Sequence, residues 1–194
     1  MDYAPEEESI SSKVRGGFLE MIEFVAIMAA ILIIVRFFVA EPHKVDGNSM
    51  LPNFHHGDHI ITNKLAVRIS DMQRGEVIIL KSPRDPDKVL IKRIIGLPKE
   101  SLKLLEGRIY INNRLLEEPY LPTGLKTPGS SFLKEGDEVT IPEGFYFVMG
   151  DNRHASSDSR DLGPINKENF VGQAFLRYWP PQRFTILKIN LPSL

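Results

Sequence analysis

The sequence predicts a mostly β domain preceded by one apolar helix. Two observations carry this. Residues 18–40, FLEMIEFVAIMAAILIIVRFFVA, contain an unbroken apolar stretch from Phe24 to Val35, which has no polar face and so is not an amphipathic surface helix. From Val45 onward the texture changes to apolar runs of strand length, separated by Gly, Pro, Asn and Asp. Most of the 14 Pro and 14 Gly fall after residue 40. A chain of 194 residues has room for one domain and a small appendage. With 42% apolar and 25% charged residues it has the composition of a folded protein. A net charge of −1 leaves no basic field for nucleic acid. The absence of Cys excludes disulfides, thiolate metal sites and a Cys nucleophile.

Residues 1–17 open with MDYAPEEESISS, a polar, acidic segment that cannot bury enough apolar surface to order itself. The run at 18–40 admits three readings. A cleaved signal peptide wants a positive start and a small-residue cleavage site, whereas this start is acidic and the run ends RFFVAEPH. A core helix would be unusually hydrophobic all round. A single uncleaved membrane anchor fits best, with Glu20, Glu23 and Arg36 near its ends able to reach the interface or a partner. Lys13 and Arg15 precede the run, so the positive-inside rule expects a cytoplasmic N-terminus and an outward-facing domain at 41–194; Lys44 weakens the asymmetry.

In that domain DHIITNKLAV (58–67), EVIILKS (76–82), KVLIKRIIGL (88–97), LKLLEGRIYIN (102–112), DEVTIP (137–142) and GFYFVMG (144–150) read as strands. Residues 104–117 read as a small meander, 118–136 as a loop or insertion, and Asn166 to Phe170 as a short capped helix. No internal repeat of fixed period is present.

Three patches can carry chemistry, and each alone has an ordinary explanation. In VDGNSMLP (45–52), Ser49 lies in a turn-forming segment. Such a turn can also present a hydroxyl outward beside its own N–H, a potential oxyanion donor. In VLIKRIIGLP (89–98), alternation puts Leu90, Lys92 and Ile94 on one face and Ile91, Arg93 and Ile95 on the other. Lys92 there either snorkels or pairs with a carboxylate, or is desolvated into a neutral amine able to accept a hydroxyl proton. MGDNRHASSDSRDLGPI (149–165) reads as a hydrophilic loop, or as a set of small donors and acceptors that fix other side chains. His154 is a candidate base, but His43, His55, His56 and His59 are scattered without metal-ligand spacing, so neither metal nor cofactor is expected.

Together the patches say more. An apolar anchor is followed by G-N-S-M-x-P, then K-R-I-I-G-L-P, then G-D-N-R-x-x-S-x-D-S-R. This order resembles the type I signal peptidases, as do GDHIITNK (57–64) and RGEVIIL (74–80); the likeness runs from about residue 20 to residue 180. The resemblance implies a membrane-bound serine endopeptidase with a Ser–Lys dyad in a β-rich catalytic domain, removing signal peptides from exported preproteins after small residues, as in Ala-x-Ala. It implies Ser49 as nucleophile, Lys92 as general base and Ser156 as the residue orienting Lys92. It further implies ion pairs Arg93–Asp151 and Asp158–Arg160 as scaffolding. Some members carry a hydroxyl residue two before the nucleophile as a second oxyanion donor; here that position is Gly47. By the same resemblance the segment before Ser49 and the Lys92 strand form the substrate groove, with Val45, Met50, Leu90 and Ile91 as candidate walls. Met50, Leu51, Phe54 and Trp179 are candidates for an apolar rim touching membrane lipid, or for plain core packing. The expected home is the plasma membrane.

Three alternatives compete. A self-cleaving repressor with the same dyad would carry a DNA-binding segment instead of an anchor. A catalytically dead member acting as a binding protein is at odds with retention of Ser49, Lys92 and Ser156 together. An anchored β-domain with three purely structural patches is at odds with their order and density.

Overall fold

A computed structural model describes residues 10–34, 36 and 39–187. The acidic run Glu6–Glu8, much of the predicted tail, and Val35, Phe37 and Phe38 of the predicted anchor lie outside the described residues. The chain divides into two compact units, Met1–Val39 and Ala40–Leu194.

In the first unit, helix α1 spans Ile10–Ile34. It starts eight residues before the predicted apolar run, because hydrophobicity sets where a helix is buried and not where backbone hydrogen bonding begins. Its described apolar side chains are exposed on all sides, Phe24 by 65% and Leu32 by 63%. Among the described residues no helix is long and apolar enough to cross a membrane.

The second unit runs β1 (Ala40–Lys44), β2 (His59–Asn63), α2 (Lys64–Ile69), β3 (Val77–Lys81), β4 (Val89–Gly96), β5 (Ser101–Leu105), β6 (Arg108–Ile111), β7 (Arg114–Leu115), β8 (Glu138–Thr140), β9 (Phe145–Met149), α3 (Ser159–Leu162), β10 (Ile165–Asn166), β11 (Phe170–Trp179) and β12 (Thr185–Ile186). Among the described residues, the larger sheet has the order β1-β2-β11-β3-β4-β9-β10, with β12 added to β11. The smaller sheet has the order β7-β6-β5-β8. Every pairing is antiparallel.

Alternation distributes the larger sheet's side chains among three cores. Ile78, Leu80, Ile94, Tyr146 and Val148 enter a cluster with Val67 and Met72. Val77, Ile79 and Ile91 enter a second cluster with Val45, Met50, Phe54 and Ile60. A register shift in β4 between Ile94 and Gly96 then turns Ile95 into the third, where it meets Phe147, Met149 and the smaller sheet's Leu102, Leu104, Ile109 and Ile111. Burying one such aliphatic side chain is worth roughly 1.5–3 kcal/mol, so the three clusters are what hold the sheets together.

The structure departs from or adds to the sequence reading in four places. The predicted strand 58–67 ends at Asn63, whose side chain caps α2 by accepting the Ala66 N–H. β11, which joins β2 to β3 and so holds the larger sheet together, has no clean period because bulges interrupt it. Segment 118–136 contains no helix or strand, yet it is tied down. Glu118 and Thr127 accept from buried Arg153, and the Arg160 carbonyl accepts the N–H groups of Phe132 and Leu133. The short predicted helix is a 3-10 turn at Lys167–Asn169, capped by Asn166.

Candidate active site

The loop between β1 and β2 carries Ser49. Gly47 within it has φ +93°, a left-handed conformation that costs glycine little. The loop is pinned from the segment after β9, where Asn152 donates its N–H to the Ser49 carbonyl at 3.0 Å and its Nδ2 to the Asn48 carbonyl at 3.1 Å. Among the described residues no backbone acceptor takes the Ser49 N–H.

Lys92, in the middle of β4, is 2% exposed. Its Nζ lies 3.0 Å from Ser49 Oγ and donates to the Ile91 carbonyl at 2.9 Å. Burial lowers its pKa from an ordinary 10.5 to about 8, with Lys88 and Arg160 pushing the same way and Asp158 and Asp151 opposing. A sizeable fraction of this amine is therefore neutral near physiological pH, while its hydroxyl neighbour is already within hydrogen-bonding distance.

Two buried ion pairs flank the amine. Arg93 grips Asp151 with Nε at 2.8 Å and Nη2 at 2.6 Å, donates Nη1 to the Gly75 carbonyl, and lies 4.0 Å over the Tyr120 ring. Arg160 grips Asp158 in the same two-pronged way, and Asp158 also accepts the Gly150 N–H. Burial by itself would raise the Asp158 carboxyl, but the Arg160 hydrogen bonds and charge outweigh it and hold it below the ordinary carboxylate range.

Ser156 stands beside this centre. A Cβ built on Gly150 would collide with both the Ser156 hydroxyl and the Ser49 carbonyl, so the two serines flank one glycine. The Ser156 Oγ is buried and makes no well-formed hydrogen bond among the described residues, although it lies close enough to Asp158 to help keep that carboxyl ionised. No Lys92–Ser156 hydrogen bond is formed among the described residues.

The four candidate groove residues do not converge. Val45, Met50 and Ile91 are packed together in one core, whereas half-buried Leu90 packs against the opposite cluster. Leu90 also lines a 210 Å³ cavity with Lys88, Ser157 and Leu162. Of the four rim candidates, Met50 and Phe54 are core residues and Trp179 is 52% exposed. His154 is exposed. Among the described residues no group of His, Asp and Glu could hold a metal ion. Sequence reasoning missed Asn53, whose amide donates to the Tyr120 carbonyl and to Asp151, and the role of Gly150. The signal for Gly150 was present, since a glycine at the end of a buried strand marks a close approach of other backbone.

A hydroxyl held 3.0 Å from a buried amine on a mostly β domain is an arrangement suited to a serine hydrolase. The family model described as "Signal peptidase, peptidase S26" matches residues 18–179. The chain is 34% identical over 178 residues to signal peptidase I T of Bacillus subtilis, covering 89% of this chain and 91% of that protein. It is 32% identical over 187 residues to signal peptidase IB of Staphylococcus aureus, covering 88% and 94%. A crystal structure of a signal peptidase I from Enterococcus faecalis matches 54% of this chain and 97% of that one, at 30% identity and a TM-score of 0.45. The chain belongs to the signal peptidase I family, membrane-anchored enzymes that remove signal peptides from preproteins.

Proposed function

We propose that Ser49 is the nucleophile and Lys92 the general base of this signal peptidase. The observation that carries the reading is the 3.0 Å separation of Ser49 Oγ from a buried Lys92 Nζ. The neutral amine accepts the Ser49 proton as the hydroxyl attacks the scissile carbonyl. The oxyanion is stabilised by the Ser49 N–H. Gly47 offers no side chain there, so any second donor is backbone or water. Lys92 then protonates the leaving amine, and water resolves the acyl-enzyme. Ser156 orients Lys92 once the amine is neutral and the substrate excludes water; its buried, unsatisfied hydroxyl supports that role. The pairs Arg93–Asp151 and Asp158–Arg160 keep β4 and the loop after β9 in place.

The substrate binds extended. β3 pairs with Val89–Arg93 of β4 and β9 joins it at Arg93, so among the described residues Val89–Lys92 have a strand partner on one side only. A cleavage region laid along the other side presents alternate side chains to one face, consistent with a requirement for small residues at the first and third positions before the cut. The 18–40 segment is a single membrane anchor, supported by apolar side chains exposed all round α1. Lys13 and Arg15 keep the N-terminus in the cytoplasm, and the domain from residue 41 faces outward at the plasma membrane, in contact with lipid.

The test is cleavage of a purified preprotein bearing an Ala-x-Ala site, in detergent or lipid, by wild type, Ser49→Ala and Lys92→Ala, each checked for folding. Cleavage after the second Ala by wild type, lost in both folded variants, is the expected result. Cleavage surviving in either variant overturns the dyad.

A further inference from the structure

We propose that Asn53 is the positioning residue that registers the Ser49 loop against Lys92, an inference resting on the dyad above. Ser49 sits on a loop outside any strand, so its hydroxyl depends on whatever holds that loop. Four residues after Ser49, the Asn53 amide spends both its hydrogens on distant parts of the chain. Nδ2 donates at 2.8 Å to the Tyr120 carbonyl, 67 positions away, and at 2.8 Å to Asp151 Oδ2, 98 positions away. A merely turn-forming asparagine would bond its own neighbouring backbone instead. The Asn53 carbonyl meanwhile accepts Arg177 Nη1 at 2.7 Å.

The acceptor matters most. Asp151 is the carboxylate held by Arg93 through two hydrogen bonds, and Arg93 adjoins Lys92 in β4. The residue after Asp151, Asn152, holds Ser49 and Asn48 through their carbonyls. The two sides of the loop, before and after Ser49, are thus fastened to one dipeptide, and that dipeptide to the strand carrying the base. Both partners of Asn53 are acceptors, so the position needs two donated hydrogens at one reach. An amide supplies them, while a carboxylate or methyl group supplies none.

The test compares full-length wild type, Asn53→Ala, Asn53→Asp and Ser49→Ala on the Ala-x-Ala preprotein, with kcat scaled to the folded fraction read from melting amplitudes. Loosening the loop misplaces the nucleophile without removing substrate contacts. In Asn53→Ala, kcat is expected to fall about 10–100-fold, with KM within about twofold of wild type. In Asn53→Asp the added charge beside Asp151 joins the groups Lys92 already faces, Asp158, Asp151, Lys88 and Arg160. Its kcat falls further and its pH midpoint moves up. Should Asn53→Asp fail to fold, Asn53→Ala decides. A scaled kcat for Asn53→Ala within about twofold of wild type, with Ser49→Ala inactive, overturns the positioning role and leaves the dyad standing. Cleavage by folded Ser49→Ala overturns the dyad, and the positioning role with it.

Discussion

At the scale of single residues, the site is governed by the cost of keeping an ammonium out of water. In the proposed mechanism Lys92 can serve as the base only because β4 buries it and brings its pKa to about 8. Activity should therefore rise about tenfold per pH unit below that value and level off above it, measured as kcat/KM on a peptide substrate without other titrating groups. Asp158→Asn is expected to shift that midpoint downward, because the Asp158 charge favours the ammonium form. The same substitution strips Arg160 of its charged partner, which should cost about 3–5 kcal/mol in a melt. A midpoint that stays put, or a profile that does not rise with pH towards about 8, would argue that another group is the base. Ser49 and Lys92 were both legible as candidates from their surrounding residues, and family resemblance singled them out. Asn53 was not legible, because an Asn in a turn-rich loop has the same local pattern whether its amide bonds its neighbour or a carboxylate 98 positions away.

At the scale of elements, the active centre is a junction between the end of β9 and the loop before β2. Gly150 sits where the two meet, with the Ser49 carbonyl and Ser156 hydroxyl filling the space a side chain would need. Gly150→Ala should displace the Ser49 loop and lower kcat by about 10²-fold or more, while Gly136→Ala, at a φ of +87° but with open space around it, should affect stability alone. Comparing kcat and thermal midpoint for the two variants separates close approach from backbone strain. Strands β3 and β4 were legible because Val, Leu and Ile run through them with few interruptions. The turn into α2 was not, since HIITN continues smoothly into KLAV and only the Asn63 side chain, by capping Ala66, decides that the chain coils. Segment 118–136 lacked any periodicity, and its order comes from Arg153 and Arg160 reaching it from another part of the chain.

At the scale of the whole molecule, the site draws on stability. Dropping the Lys92 pKa from 10.5 to about 8 corresponds to about 3 kcal/mol of folding free energy. The sign follows from proton counting. Between about pH 8 and 10.5 the unfolded chain holds a proton on Lys92 that the folded chain does not, so stability rises with pH across that window and the full penalty applies below it. Lys92→Met should therefore be inactive and, at pH 6, more stable than wild type by about 3 kcal/mol. The gain should shrink as pH rises from 8 towards 10.5. Denaturant unfolding at pH 6 and 10 checks this; a variant less stable than wild type at pH 6 would mean that the buried ammonium is fully compensated.

The sequence by itself determined the mostly β class, the apolar helix before it, the main strands of the core and the family, since periodicity, turn residues and motif order are local properties of the chain. The tertiary structure alone decided that Ser49 and Lys92, 43 positions apart, come within 3.0 Å. It alone decided that β11 joins the halves of the larger sheet, and that Val45, Met50 and Ile91 are core while Leu90 faces the other way. Burial and distance between remote positions are set by how the whole chain packs, and no local pattern encodes them.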